Sequence, residues 1–375
     1  MKRLKALIKM ELKPALFIGA YFLLVNLWAL FVVQNRMQNI YNSVLVDGIQ
    51  DFIAYNSGLN MSNTFMQNIL EVMLFTLIGI LVLTYASFKN DKSIEIGRFL
   101  KSLPYTTRER CLTKIGIGVG TFTLTYLVYV GGMIFLNNSY LNQFREFYEV
   151  TVLSETYTQI FNNVELMKAL GLVYVGCIAI YLFSVMFQYL VSHRVGSVIV
   201  AVLVYAAPVF IFNSISDLSN TLSPLNQLNE VVLEPFADWI NELMIVFEYI
   251  GWGVIGTSMN ISNDYTFSYS YMGLTGYRLA FYVILSFVAL GIILKVSQSD
   301  AIEKSDYLIP SRIFRTIFTC GVTVCSTLLV GDVYCMYSNQ MNGVTMLSFM
   351  FIAAVVSFFI AKRIARIGMR KEARV

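Results

Sequence analysis

Long apolar runs alternate with short polar segments along the whole chain. A helix of about 20 residues, rising 1.5 Å per residue, crosses the roughly 30 Å of hydrocarbon in a bilayer. Eight runs are long enough, so we predict an all-α polytopic membrane protein and treat residues 1–375 as one transmembrane domain. The predicted spans are residues 15–33, 69–88, 115–136, 169–191, 195–213, 279–297, 313–335 and 344–361.

The composition agrees with this pattern. The chain has 57% hydrophobic and 13% charged residues, and its mean hydropathy is +0.65. A soluble globule of 375 residues needs more polar surface than this to cover its core. The composition therefore excludes an ordinary soluble enzyme and favours a multi-pass membrane protein.

Lysine and arginine are distributed unevenly among the polar segments. Basic residues near span ends stay in the cytoplasm. If the N-terminus is cytoplasmic, only four of the 27 basic residues lie outside: Arg36, Arg145, Lys168 and Arg278. Eight spans then place both termini in the cytoplasm of what we expect to be a bacterial plasma membrane. The basic residues lie near lipid headgroups, so the small positive net charge predicts no nucleic-acid partner.

The first residues of the chain form a basic, one-sided pattern. Lysines surround four apolar residues that fall on one helical face: Leu4, Leu7, Ile8 and Leu12. A helix of this kind lies in the membrane interface, where its lysines extend towards water. We therefore predict an amphipathic N-terminal interfacial helix before the first span.

The polar segment between the second and third spans contains a second one-sided helix. Its apolar face, at spacings i, i+3, i+4 and i+7, consists of Ile96, Phe99, Leu100 and Leu103. Its polar face contains Glu95, Arg98, Lys101 and Ser102. Pro104 ends the helix, because the residue before a proline is displaced from helical geometry. Such a helix lies on a membrane or docks into a partner's groove. The alternative is a solvated loop with chance periodicity.

The longest predicted outer segment, residues 214–276, has two patterns of its own. Glu234-Pro235 is typical of a helix start, and an apolar stripe follows as far as Gly251. That helix is too short to span, so we predict an outer surface or re-entrant helix. Residues 265–271 then alternate aromatic and small residues, which predicts an extended strand.

The aromatic residues of this segment are candidates for an outer site. They form either an aromatic belt at the membrane interface or a contact surface for a molecule leaving the membrane. The candidates are Trp239, Phe247, Tyr265, Phe267 and Tyr269.

Motifs for catalysis and cofactor binding are absent from the sequence. It contains neither HExxH nor GxSxG, and its one histidine, His193, lies in a short turn between spans. The five cysteines form no CxxC pair. We predict that the chain is not an enzyme and binds no metal or cofactor itself.

A few polar residues lie within or close to the predicted spans. Glu71 and Asp332 are near predicted outer ends, where they either anchor the helix at the interface or take part in ion coupling. Asn26 and Gln188 serve either polar packing or a transport path. The glycines of the third span predict close helix packing, and these are Gly116, Gly118, Gly120, Gly131 and Gly132.

The order of elements resembles the ABC-2 family of ATP-binding-cassette transporter permeases. The resemblance rests on the basic N-terminal helix, the first pair of spans, and the segment from Glu95 through Leu103-Pro104 to Arg110. In that family this segment is the coupling helix, which is seated in a cleft of a cytoplasmic ATPase subunit. Carried over, the coupling residues are Glu95, Ile96, Arg98, Phe99, Leu100, Leu103, Pro104 and Arg108. The basic residues expected to face acidic surface or lipid phosphates are Arg98, Lys101, Arg108 and Arg110.

The resemblance also implies partners and an energy source. The chain has no GxxxxGK[ST] phosphate loop, so ATP and Mg²⁺ would bind to two separate ATPase subunits. A second permease subunit would complete an exporter. The alternative is a gradient-driven secondary carrier or channel. The family usually has six spans, so the additional pair at 313–361 departs from it. The segment 308–315 before that pair is either a second ATPase contact or the trace of a four-span duplication.

Overall fold

The described part of the chain is almost entirely helical. The computed structural model describes residues 2–47, 50–89, 91–92, 105–148, 163–221, 258–261, 267–270, 275–297, 312–337 and 343–365. Within these residues there are eight helices: α1 (Lys2–Asp47), α2 (Gln50–Phe88), α3 (Thr107–Tyr148), α4 (Asn163–Leu190), α5 (Arg194–Thr221), α6 (Thr275–Val296), α7 (Arg312–Tyr337) and α8 (Gly343–Ala365).

Each predicted span corresponds to one of these helices. Seven described helices are long and apolar enough to cross a membrane, as in a multi-pass membrane protein. The remaining helix, α5, has a shorter apolar segment, Val195–Pro208. The helical character is therefore confirmed, and seven of the described helices could span a membrane by their length and composition. The sidedness of the termini stays a prediction.

Two short strands are the exception to the all-α prediction. Strand β1 (Ser258–Ile261) pairs antiparallel with β2 (Phe267–Ser270), and Met259 lies opposite Tyr269. The alternating pattern predicted an extended segment at 265–271. This is confirmed for Phe267–Ser270, which form β2. The outer helix predicted after Glu234 lies outside the described residues.

The first three helices are much longer than a bilayer requires. They contain 46, 39 and 42 residues, so α1 alone is about 69 Å long at 1.5 Å per residue. Residues 34–47 and 50–67, predicted to lie outside the membrane, continue α1 and α2 as helix. The sequence 34–47 contains neither proline nor glycine, so nothing ends the helix where the apolar run ends.

The predicted N-terminal interfacial helix is continuous with the first span. Helix α1 begins at Lys2 and continues through Pro14. Because proline lacks an N–H group, the helix loses one backbone hydrogen bond there. The basic segment and the first apolar run thus form one helix in the structure.

The chain divides into two compact units. Unit 1 consists of Met1–Ser87, Glu109–Leu182 and Ile255–Ala289. Its interior contains a cluster of aromatic rings from α1, α3 and α4, in which Phe122 stacks on Tyr174 at 5.9 Å and meets Phe22 edge-on at 5.6 Å. The fully buried side chains of unit 1 include Phe22, Tyr129 and Met133.

Unit 2 consists of Phe88–Arg108, Phe183–Val254 and Leu290–Val375. Leu328 of α7 and Met346 of α8 form a buried apolar cluster, against which Phe210 and Ile211 of α5 pack. The Ser214 hydroxyl of α5 also donates to the Asp332 carboxylate of α7. The additional pair of helices, which the family resemblance does not explain, therefore packs on α5.

Candidate functional site

The predicted coupling helix, residues 94–103, lies outside the described residues. Seven of the eight candidate coupling residues also lie outside them: Glu95, Ile96, Arg98, Phe99, Leu100, Leu103 and Pro104. The eighth, Arg108, is described, exposed and in the first turn of α3. What the structure describes are the two ends of the 89–106 connection.

The far end of this connection leads directly into α3. Thr106 precedes the helix and Glu109 lies in its first turn, which is the spacing of a capping box. A carboxylate there also interacts favourably with the positive end of the helix dipole. Local sequence therefore explains why the helix begins at Thr107.

Two faces of α3 differ sharply just after its start. Arg108, Glu109 and Leu112 are exposed, whereas Arg110 is only 9% exposed and Lys114 only 4%. The prediction that Arg110 faces acidic surface or lipid phosphates is therefore wrong. Arg110 shares a face with Lys114, four residues on, and both side chains are buried.

Lys114 is the centre of a buried polar contact in unit 1. Its ammonium donates to the Ser87 carbonyl oxygen at 2.7 Å and lies 3.4 Å from the Glu11 carboxylate. Ser87 is in the last turn of α2, where backbone carbonyls have no partner within the helix and a cation is favoured. One lysine thus connects the end of α2 to α1 and α3.

Tyr181 of α4 also lies beside Lys114. Its hydroxyl approaches the Lys114 carbonyl oxygen at 3.4 Å. This approach depends on Gly118, because a Cβ atom at that position would collide with the Tyr181 hydroxyl. The glycines of α3 therefore divide by role. Gly118 and Gly132 pack closely against Tyr181 and Leu30, while Gly116, Gly120 and Gly131 face open space.

Lys92, at the near end of the connection, makes a corresponding contact in unit 2. Its ammonium donates to the Val191 carbonyl oxygen at 2.8 Å and to the Ser197 hydroxyl at 3.0 Å. Val191 directly follows α4, and Ser197 lies in the first turns of α5. The Ser197 hydroxyl in turn donates to the Gln188 side-chain oxygen at 2.8 Å.

The turn that Lys92 contacts is stabilised by its own residues. His193 accepts a hydrogen bond at Nδ1 from the Gly196 amide at 3.0 Å. It precedes the first residue of α5, so this is an N-cap contact that satisfies one otherwise unpaired amide of the helix. In the structure the single histidine is an exposed turn residue with a capping role.

The other polar residues near the spans mostly contact protein groups. Glu71 pairs with Arg36 at 2.9 Å, and both side chains are about one third exposed, which fits an interfacial position better than a buried ion path. Asn26 donates to the Thr125 carbonyl at 2.9 Å. Asn26 and Gln188 therefore take part in polar packing between helices.

The outer aromatic candidates are only partly described. Trp239, Phe247 and Tyr265 lie outside the described residues, while Phe267 and Tyr269 are part of β2. The structure therefore neither joins these five residues into a site nor separates them.

A metal site is not present in the described part of the chain, where no three or more His, Cys, Asp and Glu side chains come together. The five cysteines are free thiols.

The contacts of both lysines do not follow from the sequence pattern, in which Lys92 and Lys114 are cytoplasmic charges only. The available signal was their position close to predicted span ends, where helix carbonyls need donors.

Comparison with known proteins identifies no relative. No protein-family model, no curated protein and no solved structure matches this chain.

Proposed function

We propose that this chain is the membrane-spanning permease subunit of an ATP-binding-cassette exporter, driven by a separate ATPase through residues 94–103. The observation that most supports the proposal is the construction of the connection between α2 and α3. A lysine near each end of it, Lys92 and Lys114, donates to the carbonyl end of a long helix. A displacement of this connection would therefore reach several helices at once.

The boundaries between the two units fall at the two ends of this connection. Phe88 and Arg108 belong to unit 2, whereas Ser87 and Glu109, their immediate neighbours in sequence, belong to unit 1. The backbone therefore passes from one unit to the other at both ends of the connection, so a movement of the connection is passed covalently to α2 and α3.

The mechanism that follows is mechanical. ATP binding closes a dimer of ATPase subunits, and their cleft moves the 94–103 helix, whose apolar face is buried in that cleft. Arg108 is exposed at the start of α3 and is available to acidic residues of the partner. Two permease subunits then open a central path to one side of the membrane and to the other in turn. ATP and Mg²⁺ stay bound to the ATPase subunits.

Co-purification tests the proposal directly. The chain is extracted from its native membrane in a mild detergent, and co-purifying proteins are examined for an ATPase with a phosphate loop. We expect such a subunit in a stable complex. Its absence after gentle extraction would contradict the proposal and favour a gradient-driven carrier or channel.

A pair of variants then tests the coupling segment. Phe99→Asp introduces a charge on the apolar face and is expected to abolish both ATPase binding and stimulated ATP turnover. Thr107→Asp adds the same charge at an exposed position in the first turn of α3 and is expected to preserve both. If Phe99→Asp retains binding and stimulation, the coupling assignment is wrong.

A further inference from the structure

The turn between α4 and α5 is attached to the beginning of the 89–106 connection by one ammonium group. Lys92 is 99 residues from Val191 and 105 residues from Ser197 in sequence, yet it bonds to both. These three residues belong to unit 2. No local sequence pattern requires this contact, so it is a tertiary feature of the fold.

The chemistry of the contact makes it a strong attachment. The Val191 carbonyl lies at the negative end of the α4 dipole, where a cation is favoured. Hydrogen bonds from a charged donor are stronger than those between neutral groups. The Ser197 hydroxyl relays the contact to Gln188, which is 5% exposed and belongs to the last turn of α4.

The contact of Lys92 determines which helices move together with the connection. Lys92 lies two residues before the predicted coupling helix, which begins at residue 94. A displacement of that helix pulls on Lys92, and Lys92 is bonded to the end of α4 and the beginning of α5. Both helices would therefore move with the connection, although neither is next to it in sequence.

We propose that Lys92 is a positioning residue that fastens the start of the coupling segment to the α4–α5 turn, and so delivers movement of that segment to α4 and α5. The delivery of movement to α4 and α5 rests on the function proposed above. The attachment itself does not depend on that function.

Hydrogen exchange of the full-length chain in detergent tests the attachment. The variant Lys92→Met removes the ammonium and keeps most of the side-chain length. We expect the amides of Val191 and Ser197, which are bonded to the Phe187 and His193 carbonyls, to exchange about tenfold faster, a factor that corresponds to about 1.4 kcal/mol. The conservative variant Lys92→Arg keeps a charged donor and is expected to restore most of the protection.

The matched control is Lys89→Met. Lys89 is an exposed lysine three residues earlier in the sequence, and its loss is expected to leave exchange at the α4–α5 turn unchanged. Unchanged exchange in Lys92→Met, or equally fast exchange in Lys89→Met, would overturn the attachment. If Lys92→Met does not accumulate, Ser197→Ala is used in its place, because it removes the hydroxyl that Lys92 contacts and keeps the lysine. Unchanged exchange at the α4–α5 turn in Ser197→Ala, or equally fast exchange in Lys89→Met, would then overturn the attachment.

The ATPase complex tests the mechanical consequence. We expect Lys92→Met to co-purify with the ATPase at a yield within about twofold of the parent chain, while stimulated ATP turnover falls to that of the isolated ATPase. Faster exchange with full stimulation would overturn the role in coupling. If no ATPase co-purifies with the parent chain, the proposed function fails, and the exchange experiment still decides whether Lys92 fastens the turn.

Discussion

The Lys114 ammonium donates to the Ser87 carbonyl oxygen at 2.7 Å and lies 3.4 Å from the Glu11 carboxylate, with 3% of the lysine side chain exposed. A buried ion pair costs desolvation energy for both charges, so its loss is asymmetric. Removing one partner takes an opposite charge away from the other, which stays buried or nearly so. Removing both charges avoids that loss.

The first prediction follows from this asymmetry. Lys114→Met should destabilise the protein by about 3 kcal/mol, the lower end of the range for breaking a buried ion pair. The double variant Glu11→Gln/Lys114→Met should recover part of that loss. Thermal unfolding in detergent, followed by the amount of monodisperse protein, measures both. Lys13→Met, at an exposed lysine of α1, is the control. A double variant less stable than Lys114→Met would contradict the paired-charge interpretation.

The second prediction concerns two glycines of α3. A methyl group at Gly118 collides with the Tyr181 hydroxyl, and Tyr181 is a rigid, buried side chain that cannot easily move away. Gly118→Ala should therefore lower the unfolding temperature clearly. At Gly116, no neighbouring atom lies within 4 Å of the place that a methyl group would take, so Gly116→Ala should be neutral or stabilising by up to about 1 kcal/mol. Similar losses in both variants would argue against the close approach of Tyr181 to Gly118.

A third prediction concerns the hydrogen bonds of Asn68. This side chain is fully buried, donates to the Ala29 carbonyl at 3.0 Å and accepts from the Tyr129 hydroxyl at 2.8 Å. Tyr129→Phe leaves the Asn68 oxygen without that donor and should cost about 1 kcal/mol. A double-mutant cycle with Asn68→Leu should give a coupling energy of about 0.6 kcal/mol or more, as is usual between transmembrane helices. A coupling energy of zero would show that the two residues act independently.

The fourth prediction compares two residues of α8. Met346 is 1% exposed in the cluster with Leu328, and Phe351 is 70% exposed. Met346→Ala should destabilise the protein by about 2 to 5 kcal/mol, because it creates a cavity against α5 and α7. Phe351→Ala, at a side chain that would face lipid, should change stability by less than about 0.5 kcal/mol. Thermal unfolding of the two purified variants decides whether α8 packs as described, and the reverse order would refute it.

Apolar runs were sufficient to predict where the helices are, because each apolar side chain contributes separately to the hydropathy of a run. They did not predict where α1 to α3 end. Apolar residues stop at the membrane edge, whereas the helix stops at a breaker such as Asp47-Gly48. The contacts of Lys92 and Lys114 could not be predicted, because each depends on a helix end that tertiary packing brings close. The face of Arg110 was assigned wrongly, since its charge suggested exposure while its place on α3 made it buried.

The length of α1 gives a small rotation a large effect. A rigid helix of 46 residues has ends about 35 Å from its centre. Tilting such a rod by about 5° about its centre displaces each end by about 3 Å, in opposite directions, which is the length of a hydrogen bond. Glu11 and Arg36 lie on opposite sides of that centre, so one tilt would strain both of their ion pairs together.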